Sequence, residues 1–177
     1  MRKSFTILAF AALLALPLLA ALKVGDKAPD FSARASLAGK QFNFSLADAL
    51  KKGPVVVYFY PKDDTPGCTI QGQSFTATHE QFEEAGIRIV GVSQDGVDSH
   101  KAFCNKFGFT IDLLADTEAS LLGSLGIGQS EYKGTKYWDR TTFVVDPGGV
   151  IRAVYEKVSP QGHEQVLLTD IKKLQEA

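Results

Sequence analysis

The spacing of apolar and polar positions changes several times along this chain, and each change predicts an element. Residues 31–35 and 41–44 alternate around Gly39, the pattern of a short hairpin. Pro54 then opens an unbroken β-branched and aromatic run over 55–60, which reads as a strand covered on both faces. A polar loop over 61–67 leads into helix-compatible sequence from Cys68 to about Glu84, ended by Gly86. Residues 87–92 form a second buried strand, and Asp98 or Ser99 is placed to cap a helix carrying Phe103 and Phe107 at i, i+4.

Further on, 111–115 reads as a shorter strand and 118–125 as a helical turn or two. Strands over 141–145 and 150–155 are joined by Asp146-Pro147-Gly148-Gly149, a strong turn sequence. An amphipathic helix over 161–175 closes the chain, with Val166, Leu167, Ile171 and Leu174 on its inner stripe. The order strand, helix, strand, helix, hairpin, helix matches an α/β, thioredoxin-like arrangement: a central mixed β-sheet flanked by helices, with an N-terminal β-hairpin.

The first segment differs in kind. Arg2 and Lys3 precede a charge-free run over 5–22 that closes on small residues, Ala20 and Ala21. That is the layout of a secretory signal peptide over 1–21, leaving a single domain over 22–177. The run also approaches the roughly 20 residues that span a bilayer, so an uncleaved anchor over 5–22 is the alternative; Pro17 favours cleavage. Either way the domain is expected to be exported and periplasmic, or anchored on that side, in an oxidising compartment. Without Arg2 and Lys3, 17 basic residues face 20 acidic ones and the net charge is −3. No dense Lys/Arg cluster exists, which argues against nucleic acid as a partner. At 177 residues, one well-cored domain is the expectation.

The chemistry concentrates in Tyr58-Phe59-Tyr60-Pro61-Lys62-Asp63-Asp64-Thr65-Pro66-Gly67-Cys68-Thr69. A buried strand delivers the chain into a Pro- and Gly-rich loop, and a cysteine follows where a helix begins. Unpaired N–H groups and the positive end of the helix macrodipole stabilise a thiolate at such a place. Reaction with an O–O bond also needs fixed donors that polarise it, such as backbone amides, the Thr65 hydroxyl and a permanent cation. Arg140, directly before the strand over 141–145, is the best cation candidate.

Pro61-x-x-x-Thr65-x-x-Cys68 resembles the active-site signature of peroxiredoxins, and the longer string resembles the bacterioferritin comigratory protein, or peroxiredoxin Q, subfamily. The similarity runs over about residues 24–175, including Val24-Gly25-Asp26-Lys27-Ala28-Pro29-Asp30-Phe31 and Asp139-Arg140-Thr141-Thr142-Phe143. It implies a thioredoxin-like fold and thiol-dependent reduction of hydrogen peroxide or organic hydroperoxides, without metal or organic cofactor. By the same resemblance Cys68 is the peroxidatic cysteine, Thr65 and Arg140 activate the peroxide, and Pro61 shields the cysteine. Many members carry a resolving cysteine five positions after the peroxidatic one, where this chain has Gln73. Cys104, the only other cysteine, then becomes the resolving candidate, as in relatives that place it in the next helix. If the strands over 55–60 and 87–92 are parallel neighbours, both helices start at the same end of the sheet. Cys104 lies beside Phe103 and Phe107, so a disulfide is expected to require unwinding of one or both helix starts. A thioredoxin-like dithiol protein is the expected reductant, and a monomer is expected over a dimer.

Plainer readings stand beside these. Cys68 and Cys104 would serve as a structural staple, or Cys104 would be an inert buried thiol beside a one-cysteine peroxidase. Arg140 would be a surface ion-pair partner, and Thr65 a turn or cap residue. His79, His100 and His163 read as solvated surface, as do Asp63 and Asp64; Tyr137 and Trp138 either wall the pocket near Arg140 or pack. A thioredoxin-type exchange protein is disfavoured because Cys68-Thr69-Ile70-Gln71 lacks a second thiol, and a thioredoxin-fold binding or chaperone module is the non-enzymatic alternative.

Overall fold

The computed structural model describes residues 21–176. Nearly all of the expected leader or anchor therefore lies outside the described residues. The predicted hairpin is β1 (Ser32–Leu37) and β2 (Lys40–Ser45). The buried runs become β3 (Val55–Phe59), β4 (Arg88–Ser93) and β5 (Asp112–Ala115). The late strands are β8 (Thr142–Val145) and β9 (Ile151–Tyr155), numbered after a separate hairpin, β6 (Gln129–Tyr132) and β7 (Thr135–Trp138). One seven-stranded sheet has the order β2-β1-β5-β4-β3-β8-β9. Its centre is parallel, with β3 beside β4 and β4 beside β5, and its flanks are antiparallel.

The two-residue period of β3 divides the core. Val55, Val57 and Phe59 point to one face, covered by α1 (Leu46–Leu50) and α5 (Ser120–Ser124). Val56, Tyr58 and, just beyond the strand, Tyr60 point to the other. There they meet α2 (Pro66–Ala77), α3 (His79–Glu84), α4 (Val97–Phe107) and α6 (His163–Glu176). Both cysteine-bearing helices thus follow parallel neighbouring strands and lie on one face, as expected from the sequence.

Several local expectations change. The helix expected over 68–84 begins two residues earlier and breaks at Thr78 (φ −107°, ψ 6°). There the Thr78 hydroxyl donates to the Ser74 carbonyl at 2.9 Å, competing with the helical ladder. Gly96, and not Asp98 or Ser99, stands at the start of α4. On α6 the buried face centres on His163, Leu167 and Ile171, four residues apart, with Leu168 beside them; Val166 and Leu174 face solvent. The helix α1 carries a signal within the sequence: Ser45 accepts from the Asp48 amide, ahead of buried Leu46, Ala49 and Leu50. The β6–β7 hairpin turns through Lys133 and Gly134, both at positive φ, and its strands are mostly exposed, so no apolar alternation marks it.

Candidate active site

The loop after β3 is short and bent by its own residues. Asp64 takes a left-handed φ of 55°, Thr65 is extended at the start of α2, and Pro66 occupies the first helical position, where its missing N–H costs nothing. Cys68 is the third residue of α2, in the turn whose N–H groups have no partner within the helix. Its side chain is 3% exposed. The Thr65 hydroxyl donates to the Lys62 carbonyl at 3.0 Å, so its hydrogen closes the loop and is not aimed at the sulfur. Pro61 is half-buried where the chain leaves the strand.

Arg140 reaches this sulfur from the other side of β3. The antiparallel β3–β8 pairing brings the start of β8 beside the end of β3, and Phe59 N–H donates to Thr141 O at 2.8 Å. The Arg140 carbonyl accepts from Val158 at 2.9 Å, which holds its backbone against the chain beyond β9. One guanidinium nitrogen, Nη2, lies 3.2 Å from Cys68 Sγ, and the other, Nη1, donates to Gln71 Oε1 at 2.8 Å. Gln71 is three residues along α2 from Cys68, hence on the same helical face, and is 1% exposed. Its neutral carbonyl aims the guanidinium without cancelling its charge, while its own Nε2 is buried without a hydrogen-bond partner. Gly67 makes the approach possible: a Cβ there would sit 2.9 Å from Arg140 Nη2 and 3.5 Å from Pro160 Cγ. A buried sulfur thus shares a helix start with a fixed cation that donates towards it.

Residues 24–154 match the AhpC/TSA family. The chain is 38% identical over 121 residues to peroxiredoxin Bcp of Xanthomonas campestris pv. campestris, covering 67% of this chain and 76% of that protein. Among solved structures, a cysteine mutant of PrxQ from Xylella fastidiosa superposes with a TM-score of 0.81 at 30% identity, covering 88% of this chain and 99% of the other. The bacterioferritin comigratory protein of Xanthomonas campestris, in a structure concerned with its alkyl peroxide reduction, gives 0.70 at 35% identity, over 79% of this chain and 90% of that one. The chain belongs to the AhpC/TSA family, as a peroxiredoxin of the Bcp/peroxiredoxin Q type. It is a thiol peroxidase with a thioredoxin-like fold.

In this peroxiredoxin both thiols are free and both belong to one buried cluster with Tyr58, Phe75, Phe103 and Phe109. Cys104, in the last turns of α4, is 1% exposed, and burial pushes its thiol above the ordinary cysteine range. It is a poor nucleophile where it sits. Gln73, at the position where many relatives carry their second cysteine, is an exposed side chain. The Tyr58 ring lies over Gly91 of β4, where a Cβ would come within 2.6 Å of it.

The solvated reading of His100, His163 and Asp63 is overturned. His100 is 0% exposed, and its Nδ1 lies 2.8 Å from Asp63 Oδ2. His163 is buried against Phe75 and Tyr155, with Nε2 2.9 Å from Thr142 Oγ1, and burial lowers its pKa to about 4. Asp64 is the member of the acidic pair that stays in solvent, bound to Lys106. Two histidines sit inside because polar partners meet them within the core, Asp63 and Tyr60 at His100 and Thr142 at His163, which offsets part of the burial cost. His79 remains half-buried at the start of α3. Trp138 packs on the core of the opposite face and donates to Gln94 at 2.6 Å, and Tyr137 is exposed, so neither is part of the Cys68 cluster. Gln71 went unread although its i+3 spacing to Cys68 puts it on the same helical face, and His100 was read as solvated although it stands four residues before Cys104 on an apolar helix face. Pro160 carried no such signal.

Proposed function

We propose that Cys68 is the peroxidatic residue and that Cys104 resolves it. The observation that carries the reading is the 3.2 Å contact between Arg140 Nη2 and Cys68 Sγ at the first turn of α2. The Cys68 thiolate attacks the terminal oxygen of a peroxide ROOH. An S–O bond forms as the O–O bond breaks, sulfur keeps the hydroxyl as a sulfenic acid, and RO⁻ leaves to take up a proton. Arg140, freed in part from the sulfur as its charge moves to oxygen, stabilises the departing oxygen, and the amides of the first turn complete the donor set. Thr65, whose hydrogen closes the loop on the Lys62 carbonyl, offers its oxygen as acceptor for the proton of the peroxide. Pro61 shields the sulfur at the loop entrance. The Cys104 thiol then attacks the sulfenic sulfur, forming the disulfide and releasing water. A thioredoxin-like dithiol protein returns two electrons by thiol–disulfide exchange.

Hydrogen peroxide and organic hydroperoxides are the substrates this reading assigns; alkyl peroxide reduction by the Xanthomonas campestris relative supports the second class. The working unit is a monomer, and export to the periplasm rests on Arg2, Lys3 and the apolar run over 5–22. The test is the intact mass of reduced protein after a brief equimolar peroxide pulse, quenched with an alkylating agent. Rapid loss of two hydrogens and of both alkylation sites is expected. One added oxygen at Cys68 with Cys104 still alkylatable makes it a one-cysteine enzyme and refutes the resolving role. No rapid change refutes both roles.

A further inference from the structure

Neither cysteine-bearing helix has a side-chain cap of its own: Thr65 makes no capping bond at the start of α2, and Gly96 has no side chain to make one at the start of α4. The loop that leads into α2 is tied to the first turn of α4 instead, through one carboxylate in that loop. Asp63, 7% exposed, accepts from Tyr60 Oη on Oδ1 at 2.7 Å, and on Oδ2 from Ser99 Oγ at 2.7 Å and His100 Nδ1 at 2.8 Å. Its backbone N–H donates to Asp95 Oδ2 at 2.8 Å, and Asp95 also accepts from Ser93 Oγ at 2.7 Å. Asp63 lies in the loop that delivers Cys68, whereas Ser99 and His100 lie in the first turn of α4. Cys104 stands four residues after His100, one turn further on the same inner face.

We propose that Asp63 is a positioning residue that latches the peroxidatic loop to α4, and that release of this latch admits Cys104 to the oxidised Cys68. The proposal rests on the resolving role given to Cys104. Closed, the latch holds the loop against α4, so that the Cys68 sulfur meets Arg140, and it keeps Cys104 inside the aromatic cluster. Opening releases the uncapped start of α4 directly and, because Asp63 stands three residues before Pro66, loosens the loop that leads into the uncapped start of α2. The closed state also carries a cost that opening relieves: with Nδ1 donating to Asp63, His100 Nε2 is buried without a partner. Hydrogen bonds to a carboxylate in a dry site are the strong kind, which suits a contact that must hold until chemistry is done.

Asp63→Asn sets an amide against the two donors from α4 and tests the proposal by moving two steps in opposite directions. Sulfenic acid formation, timed by quench and mass, is expected to slow, because the loop is no longer held. Disulfide formation after it is expected to quicken roughly tenfold, with loss of contacts to a charged acceptor as the cause. Ser99→Ala, an exposed position that removes one of those contacts, should shift the disulfide step the same way by roughly threefold without risk to the fold. Amide hydrogen exchange over 62–69 and 97–104 should rise in both variants, a readout that does not depend on Cys104 chemistry. A merely structural Asp63 would slow both steps together, and that result overturns the latch. So does a wild-type disulfide rate with unchanged exchange in both variants. Faster exchange with no disulfide in any protein, wild type included, overturns the resolving role of Cys104 and with it the functional part of the latch.

Discussion

Gly67 is the second residue of α2 and has an ordinary helical backbone, so alanine there meets no backbone strain. In a helix, alanine is favoured over glycine by about 0.5–1 kcal/mol, which predicts a fold that is unharmed or slightly more stable. The added methyl would sit 2.9 Å from Arg140 Nη2. Ordinary contact lies at about 3.5 Å, so the guanidinium must retreat by about half an ångström. That retreat lengthens its 3.2 Å contact with Cys68 Sγ. A misplacement of about 1 Å at a reacting centre costs about 100-fold, so roughly tenfold is expected here. The assay is the second-order rate constant for sulfenic acid formation with hydrogen peroxide, by stopped flow, beside a thermal melt. A tenfold slower reaction in a protein that melts no lower is the expected pair of results. An unchanged rate would sink the claim that glycine is required for Arg140 to reach the sulfur; a lower melting temperature with a proportionate loss of activity would reduce Gly67 to a folding residue.

Arg140→Ala, in the same assay, should slow the first step about 100- to 1,000-fold with an unchanged circular dichroism spectrum. Arg140→Lys should fall between, because lysine keeps the charge but cannot hold Gln71 and Cys68 at once through a planar fork; equal rates for lysine and arginine would refute the role of Gln71 as its guide. His163 predicts an acid instability. The unfolded chain takes up its proton near pH 6.5 and the folded protein only near 4, so the contribution is full above 6.5 and is lost as pH falls towards 4, by about 3 kcal/mol. Urea titrations at pH 7 and pH 4.5 should show that loss in the wild type and less of it in His163→Gln; equal losses would show that His163 is not the group responsible.

The strands and most of the helices were legible because their causes are local. An apolar run such as Val55 to Tyr60 has to be covered on both faces wherever it lies, and a turn such as Asp146-Pro147-Gly148-Gly149 reverses the chain through its own φ preferences. The string from Tyr58 to Thr69 likewise carried the place of Cys68 at a helix start. What the sequence left open joins residues far apart in the chain. Arg140 and Cys68 are 72 positions apart, and their 3.2 Å contact follows from β8 pairing antiparallel with β3, which no local pattern states. Asp63 and His100, 37 positions apart, read as solvated residues one at a time; each is inside only because the other is there. Periodicity reports which face of an element is apolar, but which polar groups meet within the core is settled by the order and register of the strands. That order turned a loop aspartate and a helix histidine into one buried contact between the loop before α2 and the first turn of α4.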